Sequence, residues 1–351
     1  MKRVILTSGG TAGHVWPIVS IIDELKQNSD IEYLYVGSNG IEKKIAKEQK
    51  LNFQSILVGK YRPYFSLMNL VDFFKTFIGL FQALKLIKKF KPDLIFAKGG
   101  FVTFPLLFWA KQKNIPVIIH ESDSIMGKAN VWAANFAQKI CVGFPLENYN
   151  ERNQKYIYTG NPVRKEFTIH EVTDKKLPTI LITGGSQGSR AINDTISEIL
   201  PLLVKRFEIY HLCGQKDFCK LKQKFNLKNY HLSSFDSRID LLMQKADLII
   251  SRSGANTLAE IAALEKASIL IPYPFASQNH QFCNAEIFVN AHAAIMIDEK
   301  SLTSNALLDM IESLMSNEEQ RSALSRNIGK FYNPNAASEM VIQIKKVLNY
   351  E

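Results

Sequence analysis

Residues 4–14 read Val4-Ile5-Leu6-Thr7-Ser8-Gly9-Gly10-Thr11-Ala12-Gly13-His14, an apolar run that breaks into glycines. A short run of this kind reads as a strand, and the glycines let the backbone turn sharply into a helix. The pattern returns 175 residues on, where Ile180-Leu181-Ile182-Thr183 runs into Gly184-Gly185-Ser186-Gln187-Gly188. In a chain of 351 residues each half therefore opens with its own strand, glycine turn and helix. The fold class is α/β: two Rossmann-like parallel-sheet domains facing each other across a cleft, each large enough to bury its own core. After each turn the helix aims its unpaired N–H groups and the positive end of its dipole at whatever binds there, which suits a phosphate or a developing negative charge.

Strand-like runs in the first half lie at 3–8, 32–36, 93–97, 116–120 and 139–143, and in the second near 179–183, 207–212, 247–251 and 268–272. Ligands bind outside the carboxyl ends of parallel strands, so the residues closing these runs are candidates for one crevice, among them Lys98-Gly99-Gly100 and His120-Glu121-Ser122-Asp123. Asn161-Pro162 reads as a hinge, because proline removes a donor and restricts the residue before it. The expected domains are 1–162 and 163–333, with a last periodic helix, 334–351, packing back on the first.

Net charge is +10, and its distribution is uneven. Residues 1–162 hold 21 Lys and Arg against 12 Asp and Glu; the remainder hold 22 against 21. A basic face suits nucleic acid or an anionic membrane surface. Residues 61–91 weigh toward the membrane: Tyr64, Phe65, Leu67, Met68, Leu70, Val71, Phe73, Phe74, Phe77, Ile78, Leu80 and Phe81 lie among Lys60, Arg62, Lys75, Lys85, Lys88, Lys89 and Lys91. Aromatic groups beside lysines fit partial insertion at a lipid interface, while a core helix with a solvated basic face is the plainer alternative. The four cysteines form no CxxC pair, which points to a reducing compartment. The first residues have no signal-peptide pattern and no run approaches the ~18 apolar residues that span a bilayer, so the expected location is cytoplasmic.

The first turn is not GxGxxG and lacks the Lys-Ser/Thr of a P-loop, which weakens dinucleotide and ATP readings. His14 falls in the first turn of a helix, where the dipole disfavours imidazolium; it is either a proton acceptor or a ring that hydrogen-bonds the turn. In Ser251-Arg252-Ser253-Gly254-Ala255-Asn256-Thr257-Leu258-Ala259-Glu260, Ser253 or Asn256 can cap a helix whose first amides cradle a diphosphate. Glu260 then accepts from both hydroxyls of a ribose, or is a solvated helical carboxylate. Gln278-Asn279-His280-Gln281 is a polar loop of amide donors and acceptors suited to sugar hydroxyls, or simply surface.

Taken in order, Gly9-Gly10-Thr11-x-Gly13-His14, Gly160-Asn161-Pro162-Val163-Arg164, Gly184-Gly185-Ser186-Gln187-Gly188, Arg252-Ser253-Gly254-Ala255-x-Thr257 with Glu260, and His280-Gln281 with Asn284-Ala285 closely resemble the MurG family, the peptidoglycan N-acetylglucosaminyltransferases of glycosyltransferase family 28. The resemblance spans essentially the whole chain. It implies a GT-B fold, UDP-N-acetylglucosamine as donor, and as acceptor lipid I, the undecaprenyl-diphosphate-linked muramoyl-pentapeptide. It further implies inversion at the anomeric carbon, no metal or other cofactor, no nucleic acid, and a peripheral place on the inner face of the plasma membrane. The first domain would bind acceptor and membrane, the second the UDP-sugar.

By motif, the resemblance assigns Ser186, Arg164, Ala255, Asn256, Thr257, Leu258, Ala259, Glu260 and Gln281 to the donor site, with Thr11, Ala12, Gly13 and Asp123 reaching from the first domain. His14 is the first candidate base and Glu121 the second. Asp123 stands where many relatives have Asn, Ala12 where Gly is frequent, and Phe101 where Tyr is common. Three other readings remain: a glycosyl-diacylglycerol synthase, a UDP-sugar epimerase, and a nucleic-acid-binding protein that would leave both glycine turns unexplained.

Overall fold

A computed structural model describes residues 1–27, 30–59, 67–149, 153–168 and 177–349. Lys60, Arg62, Tyr64 and Phe65 of the aromatic-basic stretch lie outside them. The chain forms two compact units, Met1–Arg164 with Asn333–Glu351, and Lys165–Tyr332. The first unit contains β1 (Lys2–Thr7), α1 (Ala12–Leu25), β2 (Ile31–Gly37), α2 (Ile41–Glu48), β3 (Phe53–Ser55), α3 (Leu67–Phe90), β4 (Leu94–Ala97), α4 (Phe104–Gln112), β5 (Val117–Glu121), α5 (Lys128–Ala134), β6 (Lys139–Val142) and β7 (Tyr156–Tyr158). The second contains β8 (Thr179–Thr183), α6 (Arg190–Leu203), β9 (Glu208–Leu212), α7 (Gln215–Lys224), β10 (Tyr230–Ser233), α8 (Ile239–Lys245), β11 (Leu248–Ser251), α9 (Ala255–Ala263), β12 (Ser268–Leu270), α10 (His280–Asn290), β13 (Ile295–Met296), α11 (Ser304–Ser316) and α12 (Glu318–Gly329).

Each unit is built on one parallel sheet. The first runs β3-β2-β1-β4-β5-β6-β7 and the second β10-β9-β8-β11-β12-β13. Inner strands are buried on both faces, as helical crossovers require, and so read as continuous apolar runs. The four strands missing from the sequence reading, β3, β7, β10 and β13, are the four sheet edges. They have two to four residues each and are partly exposed, so neither hydrophobic continuity nor length marks them.

In both sheets the crossovers diverge at one place, between β1 and β4 and between β8 and β11. The loops at the carboxyl ends of those strands carry the glycine turns, which is where such sheets open a crevice. Asn161 belongs to the interior of the first unit rather than to a joint: its amide donates to Ser122 O at 3.0 Å, and the first unit ends only after Arg164.

The last helix, α13 (Ala336–Val347), belongs to the first unit. Asn333 leads into it, donating to Thr159 O and to Glu339, each at 3.0 Å. Met340, Val341, Ile344 and Leu348 join the core formed by Val15, Ile18 and Ile22 of α1 and by Val4 and Leu6 of β1. Ile344 is fully buried there, so Ile344→Ala should cost the first unit about 2–5 kcal/mol through lost transfer energy and a residual cavity. Urea unfolding followed by a first-unit probe checks this, and an unshifted midpoint would place α13 outside the cooperative core.

Candidate active site

In the first unit the half-site forms where the β1 and β4 turns meet. Gly10 (φ +105°) donates its N–H to Glu42 of α2 at 2.6 Å, and Ser38 Oγ donates to the other Glu42 oxygen at 2.8 Å. Glu42 is almost fully buried and locks the glycine turn from behind, a role its place in a helix does not reveal. Thr11 is the exposed N-cap of α1 but supplies no side-chain cap, and Gly13 follows half-buried. Phe101 lies over Gly10, its ring 3.1 Å from where a Cβ would stand.

His14 is the third residue of α1, with Nδ1 2.8 Å from Gly9 O. A carbonyl only accepts, so in the neutral ring the proton sits on Nδ1 and Nε2 is left as a proton acceptor. Burial, and then the nearby Lys98 ammonium, hold its pKa below 6.5, against the Gly9 carbonyl and the charges of Asp123 and Glu42. In the sequence only the helix dipole stands against imidazolium; burial and Lys98 are what the fold adds.

Glu121 ends β5 with its carboxylate committed inward. It accepts from Asp123 N (3.1 Å), Gly127 N (2.8 Å) and Asn130 Nδ2 (2.9 Å), stapling the 121–127 turn to α5. Burial, then the charge of Asp123, raises its pKa. Its oxygens work as a strut, which favours His14 as the base. Asp123 is half-buried and its carbonyl accepts from Tyr149 OH at 3.0 Å, so the loop is held on several sides. Arg164, grouped by motif with the donor residues, stacks on Trp16 of α1 at 4.7 Å and so packs within the first unit.

In the second unit the two turns differ in an informative way. After β8, Gly185 (φ +78°) and Gly188 (φ +73°) shape a loop whose tip, Ser186, is exposed. The helix it leads to carries a side-chain cap, since Ser189 Oγ accepts from Ile192 N at 3.4 Å, and from Arg252 Nη2 at 2.6 Å. One of the amides expected to be available after Gly184, that of Ile192, is therefore capped internally. After β11 the expectation of a Ser253 or Asn256 cap also fails, because Ser253 Oγ donates to Gln281 O at 2.7 Å and the N-cap is Gly254 with no side-chain cap.

A Cβ on Gly254 would meet nothing within 4 Å, and no acidic side chain lies in the first turn of α9. The amides of Ala255, Asn256 and Thr257 thus begin a helix at an open, uncapped end, a ready anion site. Leu258 is fully buried and can offer only backbone; Ala259 and Glu260 are half-buried further along α9. Gln281 lies in the first turn of α10, its Oε1 accepting from Tyr273 N at 3.0 Å, and Asn284 Nδ2 donates to Ser253 O at 3.2 Å. The Gln281 segment and the Gly254 turn are therefore joined.

Arg252 ties these loops together. It donates to Ile271 O and Pro272 O at 3.0 Å each, reaches Ser189, pairs with Glu299 and lies 5.3 Å over Tyr273. Among the described residues no three His, Cys, Asp or Glu side chains gather as a metal donor set, and all four cysteines are free thiols.

With this geometry in view, the comparisons are specific. Residues 4–142 match the glycosyltransferase family 28 N-terminal domain and residues 179–340 the glycosyltransferase family 28 C-terminal domain. The chain belongs to glycosyltransferase family 28. A protein of Clostridium novyi (strain NT) is 35% identical over 356 residues, with 98% of each chain covered. One from Clostridium botulinum (strain Langeland) is 37% identical over 358 residues, with 99% of each covered. Both carry the name UDP-N-acetylglucosamine–N-acetylmuramyl-(pentapeptide) pyrophosphoryl-undecaprenol N-acetylglucosamine transferase.

Among solved structures, Acinetobacter baumannii MurG is similar with TM-score 0.76 and 26% identity, covering 99% of this chain and all of that one. A UDP-N-acetylglucosamine 2-epimerase shares the fold at TM-score 0.72 with 14% identity, covering 100% of this chain and 98% of that one. The two parallel-sheet units are thus the GT-B fold, and the family is one of hexosyltransferases.

Arg252→Ala should unfasten three loops at once and leave the Glu299 carboxylate unpaired in a half-buried place. Breaking a buried pair costs about 3–5 kcal/mol, read as a lowered melting temperature of the second unit. Unchanged melting would show that the turns hold their shape without the guanidinium.

Proposed function

We propose that this chain transfers N-acetylglucosamine, with inversion, from UDP-N-acetylglucosamine to the muramoyl 4-hydroxyl of lipid I, giving lipid II for peptidoglycan synthesis. The observation that carries the reading is the full-length match, at 35–37% identity, to transferases named for that donor and acceptor. The chemistry of the two half-sites fits it. In the second unit the open amides of Ala255, Asn256 and Thr257 take the donor diphosphate, and Glu260 takes the ribose hydroxyls. Gln281 and Ser186 offer polar groups to the sugar and phosphates. The positive end of α9 stabilises the charge that grows on UDP as the glycosidic bond breaks.

In the first unit His14 Nε2 takes the proton of the attacking hydroxyl. Thr11, Ala12 and Gly13 line the same turn, Asp123 accepts from a sugar hydroxyl or N–H, and Arg164 adds a cation. Glu121 serves by holding Asp123 in place.

The acceptor's polyprenyl chain keeps it in a bilayer, and α3 is suited to meet one at the cytoplasmic face. No helix among the described residues is long and apolar enough to cross a membrane. Instead α3 seats itself through Gly79, Ala83 and Ile87 and turns Leu70, Phe73, Phe74, Phe77, Ile78 and Phe81 outward, each 47–65% exposed. Lys85, Lys88 and Lys89 follow on exposed positions. Apolar insertion beside cations is how a helix lies on an anionic leaflet, each lysine adding about 1 kcal/mol.

Transfer of labelled N-acetylglucosamine from its UDP donor to purified lipid I tests the reaction; no product with active donor and acceptor would end the proposal. His14→Ala should lower kcat by roughly 10² to 10⁴ with donor affinity little changed. Glu260→Ala should lower kcat/KM for the donor by about 1–3 kcal/mol in transition-state terms, and unchanged donor kinetics would return Glu260 to a solvated helical carboxylate. Replacing Phe73, Phe74 and Phe77 by Ser should reduce binding to anionic vesicles and activity on lipid I while sparing a short-chain soluble acceptor. Equal loss on both acceptors would move the membrane face elsewhere.

A further inference from the structure

A cation is walled in at the middle of the first unit's half-site. Lys98 follows β4 and is 2% exposed. Its N–H donates to Thr7 O at 2.9 Å, which sets it level with the end of β1, and the pairing of Ala97 with Ile119 sets it level with His120 on β5. Gly99 and Gly100, both at φ +87°, then fold the chain against the first glycine turn. A Cβ on Gly100 would stand 2.2 Å from Gly9 O and 3.0 Å from His14 Nδ1, so the Lys98 turn and the His14 turn are packed without space between them.

Among the described residues Lys98 Nζ has no hydrogen-bond partner. An ammonium in that state is costly to bury, and an apolar side chain would fill the same space without the cost. The charged and titratable groups in electrostatic reach of it are His14 from α1, His120 and Glu121 from β5, and Asp123 from the loop beyond, while Glu42 from α2 acts on His14.

We propose that Lys98 is a positioning residue of the transfer reaction, a fixed cation set between the imidazole of His14 and the carboxylates of Glu121 and Asp123. It rests on the reading of His14 as the base. The cation disfavours a second positive charge on His14 and so keeps Nε2 able to accept a proton. It also favours the ionised form of Glu121, which burial and the nearby charge of Asp123 otherwise push toward protonation. Burial in turn pulls the pKa of Lys98 itself down to about 8, against the pull of Glu121 and Asp123.

The signs give a test. Activity needs neutral His14 and is lost as pH falls through its pKa. Without the cation that pKa rises, and that of Glu121 rises with it. In Lys98→Met the acid limb of kcat/KM should therefore move up by about one pH unit, the usual effect of one close charge. Lys98→Arg keeps the charge, so its acid limb should stay with the wild type.

NMR titration of His14 in the substrate-free protein reads the same coupling directly, with His14→Gln to assign the signal. A His14 pKa raised in Lys98→Met and restored in Lys98→Arg supports the proposal; one that is equal in all three proteins overturns it. If Lys98→Met does not fold, Lys98→Gln takes its place in the same titration, and a His14 pKa equal to the wild type's overturns the proposal. Absence of transfer by the wild type would sink the functional reading alone, since the NMR titration needs no substrate.

Discussion

Parallel strands can be joined only by crossovers, and where successive crossovers leave in opposite directions the sheet cannot close over its carboxyl ends. That constraint places the chemistry of this protein twice, beside β1 and β4 and beside β8 and β11. Loops at those points are reached by two helices at once, so polar side chains from distant parts of the sequence converge there without disturbing the apolar sheet beneath. Glu42, Lys98 and Glu121 in the first unit, and Ser189, Arg252 and Gln281 in the second, all meet by this route.

The two units use the same opening for opposite charges. In the second, the helix after the glycine turn carries a side-chain cap, Ser189, whose hydroxyl accepts from Ile192 N and is also held by Arg252. The free helix end is that of α9, one crossover away, and the absence of a side chain on Gly254 keeps it open. In the proposed reaction the donor's anion therefore goes to the helix end that has no side-chain cap. In the first unit the glycine turn is closed by a carboxylate, Glu42, and what remains is an enclosed group of ionisable side chains around His14. In the proposed reaction one unit offers backbone dipoles to a phosphate and the other sets protonation states.

Much of this was legible in the sequence because it is local. The inner strands are apolar runs, and the glycine turns and the helices behind them follow from spacing alone. The four sheet edges escaped because a strand of two to four partly exposed residues leaves no periodic signal. At the candidate site, His14, Asp123 and the Ala255–Glu260 stretch could be named from their place after strands. The cap at Ser189 and the strut formed by Glu121 could not, because each is a contact made by residues far apart or by a side chain that folds back on its own loop. Arg252 lay inside a quoted motif, yet its partners are carbonyls of Ile271 and Pro272, which no spacing rule connects to it. Lys98 could be placed at the crevice from its position after a strand, but only packing shows its ammonium enclosed.

The long helix α3 shows how packing can turn a sequence pattern inside out. Its large side chains would ordinarily mark the buried face, but its neighbours admit only small ones. A Cβ on Gly79 would stand 1.9 Å from Leu57 O, and Ala83, a turn further on, is fully buried. The helix must approach the 56–59 segment closely, and Thr76 completes the fit by accepting from Gly59 N at 3.1 Å. Rotating α3 to bury Phe73, Phe77 and Phe81 would force phenyl rings into a space that excludes a methyl group. Their exposure is therefore enforced by the interface on the opposite side, and an apolar patch retained at that cost in water is what a surface-binding protein needs. In the proposed reaction, the constraint that seats α3 is also the one that directs its aromatic face outward.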